Sequence, residues 1–93
     1  LPPDHIDVVR AKETLAGGYR ALGRPADAAR VWAEVVAARR RRFPADHPDG
    51  VATRRSLWRL AEVLVDTGRG AEAVRLIDEC VREAAGRPGE RAV

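Results

Sequence analysis

An all-α fold of two helix pairs in tandem follows from three observations on this sequence. The prolines divide the chain into four stretches, each with apolar residues recurring at helical steps of three and four. No stretch alternates with period two over the length of a strand, so no sheet is expected. Ala, Val, Leu and Arg dominate while Phe, Tyr and Ile are scarce, which favours helices over strands. With 93 residues, 45% of them apolar, the chain suffices for one small domain and is too apolar for a disordered tail. The expected organisation is a single domain over residues 1–86, with repeat one at about 4–45, repeat two at about 46–85, and a flexible tail at 87–93.

The first helix carries Val8, Ala11, Leu15, Tyr19 and Leu22 on one stripe. Gly23 supplies the left-handed position after its C-terminus, and Pro25 opens the second helix, where a missing N–H costs nothing. That second helix places Ala28, Val31, Trp32, Val35 and Ala38 on one face and closes at Phe43-Pro44. The third begins near Pro48-Asp49, carries Leu57, Leu60, Ala61 and Leu64, and ends at Gly68. The fourth runs from about Gly70 with Ala73, Leu76, Ile77, Cys80, Val81 and Ala84, until Gly86-Arg87-Pro88 stops it. No proline falls inside these stretches, where it would cost about 3 kcal/mol of helix stability.

The four helices are two copies of one unit. Asp4-His5-Ile6-Asp7 recurs as Asp46-His47-Pro48-Asp49, an offset of 42. Leu15-Ala16, Tyr19, Gly23-Arg24, Ala26, Ala28, Trp32 and Glu34 then recur as Leu60-Ala61, Leu64, Gly68-Arg69, Ala71, Ala73, Ile77 and Glu79, an offset of 45. The second unit is therefore expected to carry three extra residues early in its first helix. A helix pair with one apolar face cannot bury it alone, so the pairs must stack. Ala16, Ala28, Ala61 and Ala73 lie where helices approach closely, and a larger side chain there would overpack the contact.

At these positions the sequence resembles the tetratricopeptide repeat. The residues that carry the resemblance are Leu15, Ala16, Tyr19, Gly23, Ala28, Trp32 and Val35, and again Leu60, Ala61, Leu64, Gly68, Ala73, Ile77 and Cys80. The Asp-His-Pro-Asp linker and the long second helix ending in Arg39–Arg42 resemble the 42-residue variety typical of kinesin light chains and many bacterial regulators. The resemblance implies two tandem helix-turn-helix repeats forming a short right-handed α-solenoid, acting as a protein–protein interaction scaffold. It also implies a concave, partner-binding face lined by the first helix of each pair. Carried over, those positions are Arg10, Glu13, Gly17 and Arg20, then Arg55, Trp58, Glu62 and Asp66. The helical step agrees, since 13, 17 and 20 share a face, as do 55, 58 and 62. The family's asparagines before the leucine are Glu13 and Thr14 here, and Trp58 and Arg59 in the second unit, so a peptide preference resting on them does not carry over. The carboxylate-clamping lysines and asparagines of chaperone-binding members are missing from these positions too.

The residue chemistry points away from catalysis. His5 and His47 are the only histidines, each beside aspartates. A metal needs three or four converging ligands, and two corners one repeat apart do not supply them, so no metal is expected. Helix capping is the plainer role, with Asp7 and Asp49 favoured by the helix dipole. Cys80 reads as a buried thiol on an apolar face with nothing nearby to stabilise a thiolate. Gly17-Gly18 lacks the later glycine, lysine and serine of a phosphate loop. No nucleophile, base and orienter can be assembled, so neither an enzyme nor a cofactor is expected.

Partners are read from charge and from uncovered apolar surface. The first 45 residues hold nine basic and five acidic groups, the rest eight and nine. The run Arg39–Arg42 offers an alternative, a nucleic-acid-associated segment using the basic first repeat. Successive helical residues lie about 100° apart, so the four arginines fan around the axis and suit the negative C-terminal end of the dipole. The net charge of +3 is too mild to dictate a nucleic-acid partner. Arg10, Arg20 and Arg55 beside Trp58 suit an acidic or aromatic peptide side chain, while Trp58 as core filling beside Leu57 is the competing role. No run of 18 apolar residues would span a membrane, and one cysteine fits a reducing, cytoplasmic compartment. Leu1-Pro2-Pro3-Asp4 has neither the basic nor the apolar region of a secretory leader, and the lack of an initial Met suggests a segment of a longer protein. The last helix has a stripe wider than one partner helix covers. A homodimer is expected with Leu76, Ile77 and Val81 at the contact, or with helices exchanged at the Phe43–Asp49 hinge.

Overall fold

A computed structural model describes residues 1–42 and 50–85. It contains α1 (Ile6–Ala21), α2 (Pro25–Arg42), α3 (Val51–Asp66) and α4 (Gly70–Ala85), with no strand among the described residues. Consecutive helices pack on one another, α1 on α2, α2 on α3 and α3 on α4. This is an all-α helical repeat. The expected hinge at Phe43–Asp49, the tail at 87–93, His47 and the helix stop at Gly86-Arg87-Pro88 lie outside the described residues.

Both inter-helix corners follow one plan. Gly23 and Gly68 have φ of 73° and 76°, the left-handed conformation that a Cβ disfavours. After α1 the Arg24 N–H donates to the Tyr19 carbonyl at 2.8 Å and the Gly23 N–H to the Arg20 carbonyl at 3.0 Å. After α3 the Arg69 N–H reaches the Leu64 carbonyl at 2.8 Å and the Gly68 N–H the Val65 carbonyl at 3.0 Å. These are paired Schellman closures, which satisfy carbonyls the helix end would leave orphaned. Each corner then adds an arginine–carboxylate pair at the start of the next helix, Arg24 with Asp27 and Arg69 with Glu72. Hydrogen bonding to Arg69 holds the Glu72 carboxyl below its ordinary range and raises the guanidinium in turn. Arg24 also lies 4.7 Å over the Tyr19 ring, a cation–π contact that fastens the first corner.

The helix starts correct the sequence reading. The offset from Ile6 to Val51 is 45, and both helices have 16 residues. The three extra residues of the second unit therefore precede α3 instead of lengthening it. His5 caps α1, its Nδ1 accepting from the Asp7 N–H at 3.1 Å. Gly50 occupies the corresponding place before α3 and makes no side-chain cap. No acidic residue sits in the first turn of α3, and Asp49, expected to favour its dipole, lies outside the described residues.

Most of the core lies along α2 and α3, because each has a packed helix on either side, α2 between α1 and α3 and α3 between α2 and α4. Ala28, Val31, Trp32, Val35 and Ala38 are buried as the period predicts, joined by Ala29 and Val36 toward α3. In α3, Leu57, Leu60, Ala61 and Leu64 are buried together with Val63, Thr53 and Ser56. The Ser56 hydroxyl donates to the Ala52 carbonyl at 2.9 Å, so it enters the core with its hydrogen bond made. The α1 stripe behaves differently. Ala11, Leu15 and Leu22 are exposed, while Val9 and Ala16 are the buried residues. Of the predicted stripe Tyr19 packs against the core and Val8 is half-buried, while the other three positions face away from α2, the helix on which α1 mainly packs. Ala16, Ala28, Ala61 and Ala73 are all buried, at the close approaches their size permits.

Candidate partner-binding surface

Trp58 decides where this surface lies. The buried arc of α3 holds Leu57, Leu60, Ala61 and Leu64. Trp58, Glu62 and Val65 are spaced i, i+4 and i+7, so they share another face of the helix. Trp58 is 61% exposed, which excludes it from the core beside Leu57. Its indole stands between two recesses. One is lined by Val51, Arg54, Arg55, Trp58, Arg59 and Glu62. The other is a groove of about 610 Å³ between α3 and α4, walled by Trp58, Val65, Val74, Ile77 and Val81.

The residues carried over from the family pattern separate into three groups. Arg20 of α1 reaches across to α3, its guanidinium 3.4 Å from Glu62 and 2.9 Å from Asp66. These three charges satisfy one another and bridge the first repeat to the second. Arg59 joins from the next turn, 3.4 Å from the same Glu62 oxygen. Glu13 is drawn instead toward α2, where it pairs with Arg39. Arg10, Gly17 and Arg55 are exposed, and Arg55 lies beside Trp58 in the arginine-lined recess. The structure thus brings Arg55, Trp58 and Glu62 together, and Arg20 with Glu62 and Asp66.

The arginine run is partly consumed by the fold. Arg39 is largely buried against Glu13, and its Nε is buried without a hydrogen-bond partner among the described residues. Arg39 and Arg42, one turn apart, line a recess with Asp4, Ile6 and Thr53. Arg41 and Arg42 are exposed. The run therefore offers no continuous cationic face.

Arg54 and Arg59 beside Trp58, and Val65 and Val74 in the groove, were not singled out by sequence. For the valines a signal was present. Each stands where the first repeat has Arg20 or Ala29, so a large apolar residue replaces a charged or small one between copies. Cys80 is buried and reduced, with Ile77 and Leu76 partly buried nearby. No three His, Cys, Asp or Glu side chains converge on one point among the described residues.

Compared with known protein families, residues 8–49 match the one described as tetratricopeptide repeat. Residues 8–49 are a tetratricopeptide repeat. The span agrees with the 42-residue, kinesin-light-chain-like variety. A search of the curated proteins found no match, and a search of the solved structures found none. Tetratricopeptide repeats are typically non-catalytic scaffolds for protein partners, and the matched residues take in most of α1 and all of α2. No helix among the described residues is long and apolar enough to cross a membrane.

Proposed function

We propose that this tetratricopeptide repeat chain is a non-catalytic interaction module that takes an extended peptide of a partner protein along α3. Trp58 is the apolar anchor and Arg55 the charged contact. The exposure of Trp58 carries this reading, since a large aromatic left in water on a rigid helix is the residue type that dominates binding energy when covered. Arg55, with Arg54 and Arg59 on the same recess, favours a peptide with a carboxylate next to an aromatic or aliphatic side chain. Arg20, Glu62 and Asp66 set the floor of this face by joining α1 to α3, and Arg10 and Gly17 extend it along α1. Glu13 supports it from behind through Arg39. A single buried cysteine suits work in the reducing cytoplasm.

Selection of a random peptide display library against the chain tests the proposal. Enriched sequences are expected to hold Asp or Glu within a few residues of an aromatic. Their binding should weaken at least about tenfold in Trp58→Ala and in Arg55→Glu, the loss of one hot-spot contact. Enrichment without acidic residues, or selected peptides that bind both variants as well as the parent, would overturn it.

A further inference from the structure

The contact between the two repeats has two halves, and both recur uncovered at opposite ends of the described helices. Inside the molecule, Ala29 and Ala33 of α2 share a recess with Leu60 and Leu64 of α3. One turn further, Val36 is 5% exposed on the same face of α2. Forty-five residues on, the counterparts in α4 are Val74, Asp78 and Val81, and Val81 is 59% exposed. Forty-five residues back from α3, the counterpart of Leu60 is Leu15, which rises from 8% to 48% exposure. Val8 and Ala11 stand in α1 where the buried Thr53 and Ser56 stand in α3. One end offers the floor on which α3 would sit, and the other offers a helix of α3's kind.

The changes between the copies are complementary. The internal junction uses Arg20 against Glu62 and Asp66. At the open ends Val65 takes the place of Arg20, and Gly17 and Ala21 take the places of Glu62 and Asp66. Charge has become apolar on both sides at once. Nothing stands within 4 Å of where a Cβ on Gly17 would lie, so a valine has room there. Asp78 replaces Ala33, and across the junction its counterpart neighbour is Arg24 in place of Arg69, an opposite charge.

We infer that the chain associates head to tail with a second copy of itself, α1 of one copy lying in the groove between α3 and α4 of the next. The two contacting surfaces differ, so each complex keeps one free half at either end and growth continues past the dimer. Such stacking extends the repeat stack without new kinds of contact.

Sedimentation velocity of the 93-residue chain over a concentration series tests this. The mass should climb from 10.2 kDa past twice that value without a plateau. Leu15→Asp and Val81→Asp alter exposed sites, so both should keep the helical circular dichroism of the parent. Each alone should be monomeric, its association at least about a hundredfold weaker, because a carboxylate would be buried unpaired. Mixed in equal amounts they should form a two-chain complex and nothing larger, since Leu15→Asp keeps the groove and Val81→Asp keeps α1. A parent monomeric to millimolar concentration, a Leu15→Asp that still dimerises through paired α4 helices, or a mixture that stays monomeric would each overturn the inference.

Discussion

Arg20 and Asp66 stand 2.9 Å apart across the junction of the two repeats, although 46 residues separate them in sequence. The pair is the polar edge of an otherwise apolar contact. Both side chains are more than a third exposed, so solvent screens their attraction. A double-mutant cycle with Arg20→Ala and Asp66→Ala should give a coupling of about 0.2–1 kcal/mol at low salt. The value should shrink as ionic strength rises past about 0.1 M. A coupling of several kcal/mol that ignores salt would mean the junction depends on this pair.

Glu13 and Arg39 should matter more. They join α1 to α2 from a largely buried position, where Arg39 Nη2 donates to Glu13 and the Arg39 Nε has no acceptor among the described residues. Removing the carboxylate leaves a guanidinium short of partners, at a cost of about 1–3 kcal/mol. Urea denaturation of Glu13→Ala should show that loss, with Glu13→Gln intermediate. Equal stability of Glu13→Ala and the parent would show that Arg39 escapes to water.

Glycines divide by conformation. Gly23→Ala should destabilise by about 1 kcal/mol, because its φ of 73° closes α1 in the left-handed region. Gly18→Ala should stabilise by about 0.5–1 kcal/mol, since Gly18 lies within α1 with open space where a Cβ would go. Thermal melts moving the two variants in the same direction would contradict this assignment.

Core and surface should separate as cleanly. Ala28 is fully buried at the approach of α1 and α2, and Ala28→Leu should cost about 1–3 kcal/mol by overpacking. Trp58→Ala removes a far larger side chain yet should change stability by no more than about 0.5 kcal/mol, because it is exposed. A Trp58→Ala variant that unfolds readily would return the indole to the core.

Much of this was legible from period and punctuation. Gly23, Pro25 and Gly68 marked helix boundaries through backbone geometry, a local property that one sequence displays. The buried face of α2 was legible because a helix between two neighbours hides nearly all its apolar positions. The α1 stripe misled for the converse reason: Leu15 has the right period, but the residues α1 buries are Val9 and Ala16. Periodicity gives the apolar direction of a helix and is silent about whether anything lies there. The repeated Asp-His motif suggested matching helix starts at an offset of 42, whereas the helices start at an offset of 45, with Gly50 as the α3 cap. At the candidate surface, Arg55, Trp58 and Glu62 were carried over from the family's pattern, and helical spacing agrees that they share a face. The capture of Glu13 by Arg39 depended on the packing of α1 against α2, which no local pattern reports.

The central claim is that Trp58 is the anchor of the partner surface, and tryptophan fluorescence tests it most directly. The chain has two tryptophans, Trp32 buried and Trp58 exposed. On titration with a peptide bearing a carboxylate beside an aromatic residue, emission should shift to shorter wavelength and acrylamide quenching should fall, as the Trp58 indole leaves water. Trp58→Phe should show neither change. A peptide that binds the parent without altering its emission, or binds Trp58→Phe with the same spectral change, would contradict the account.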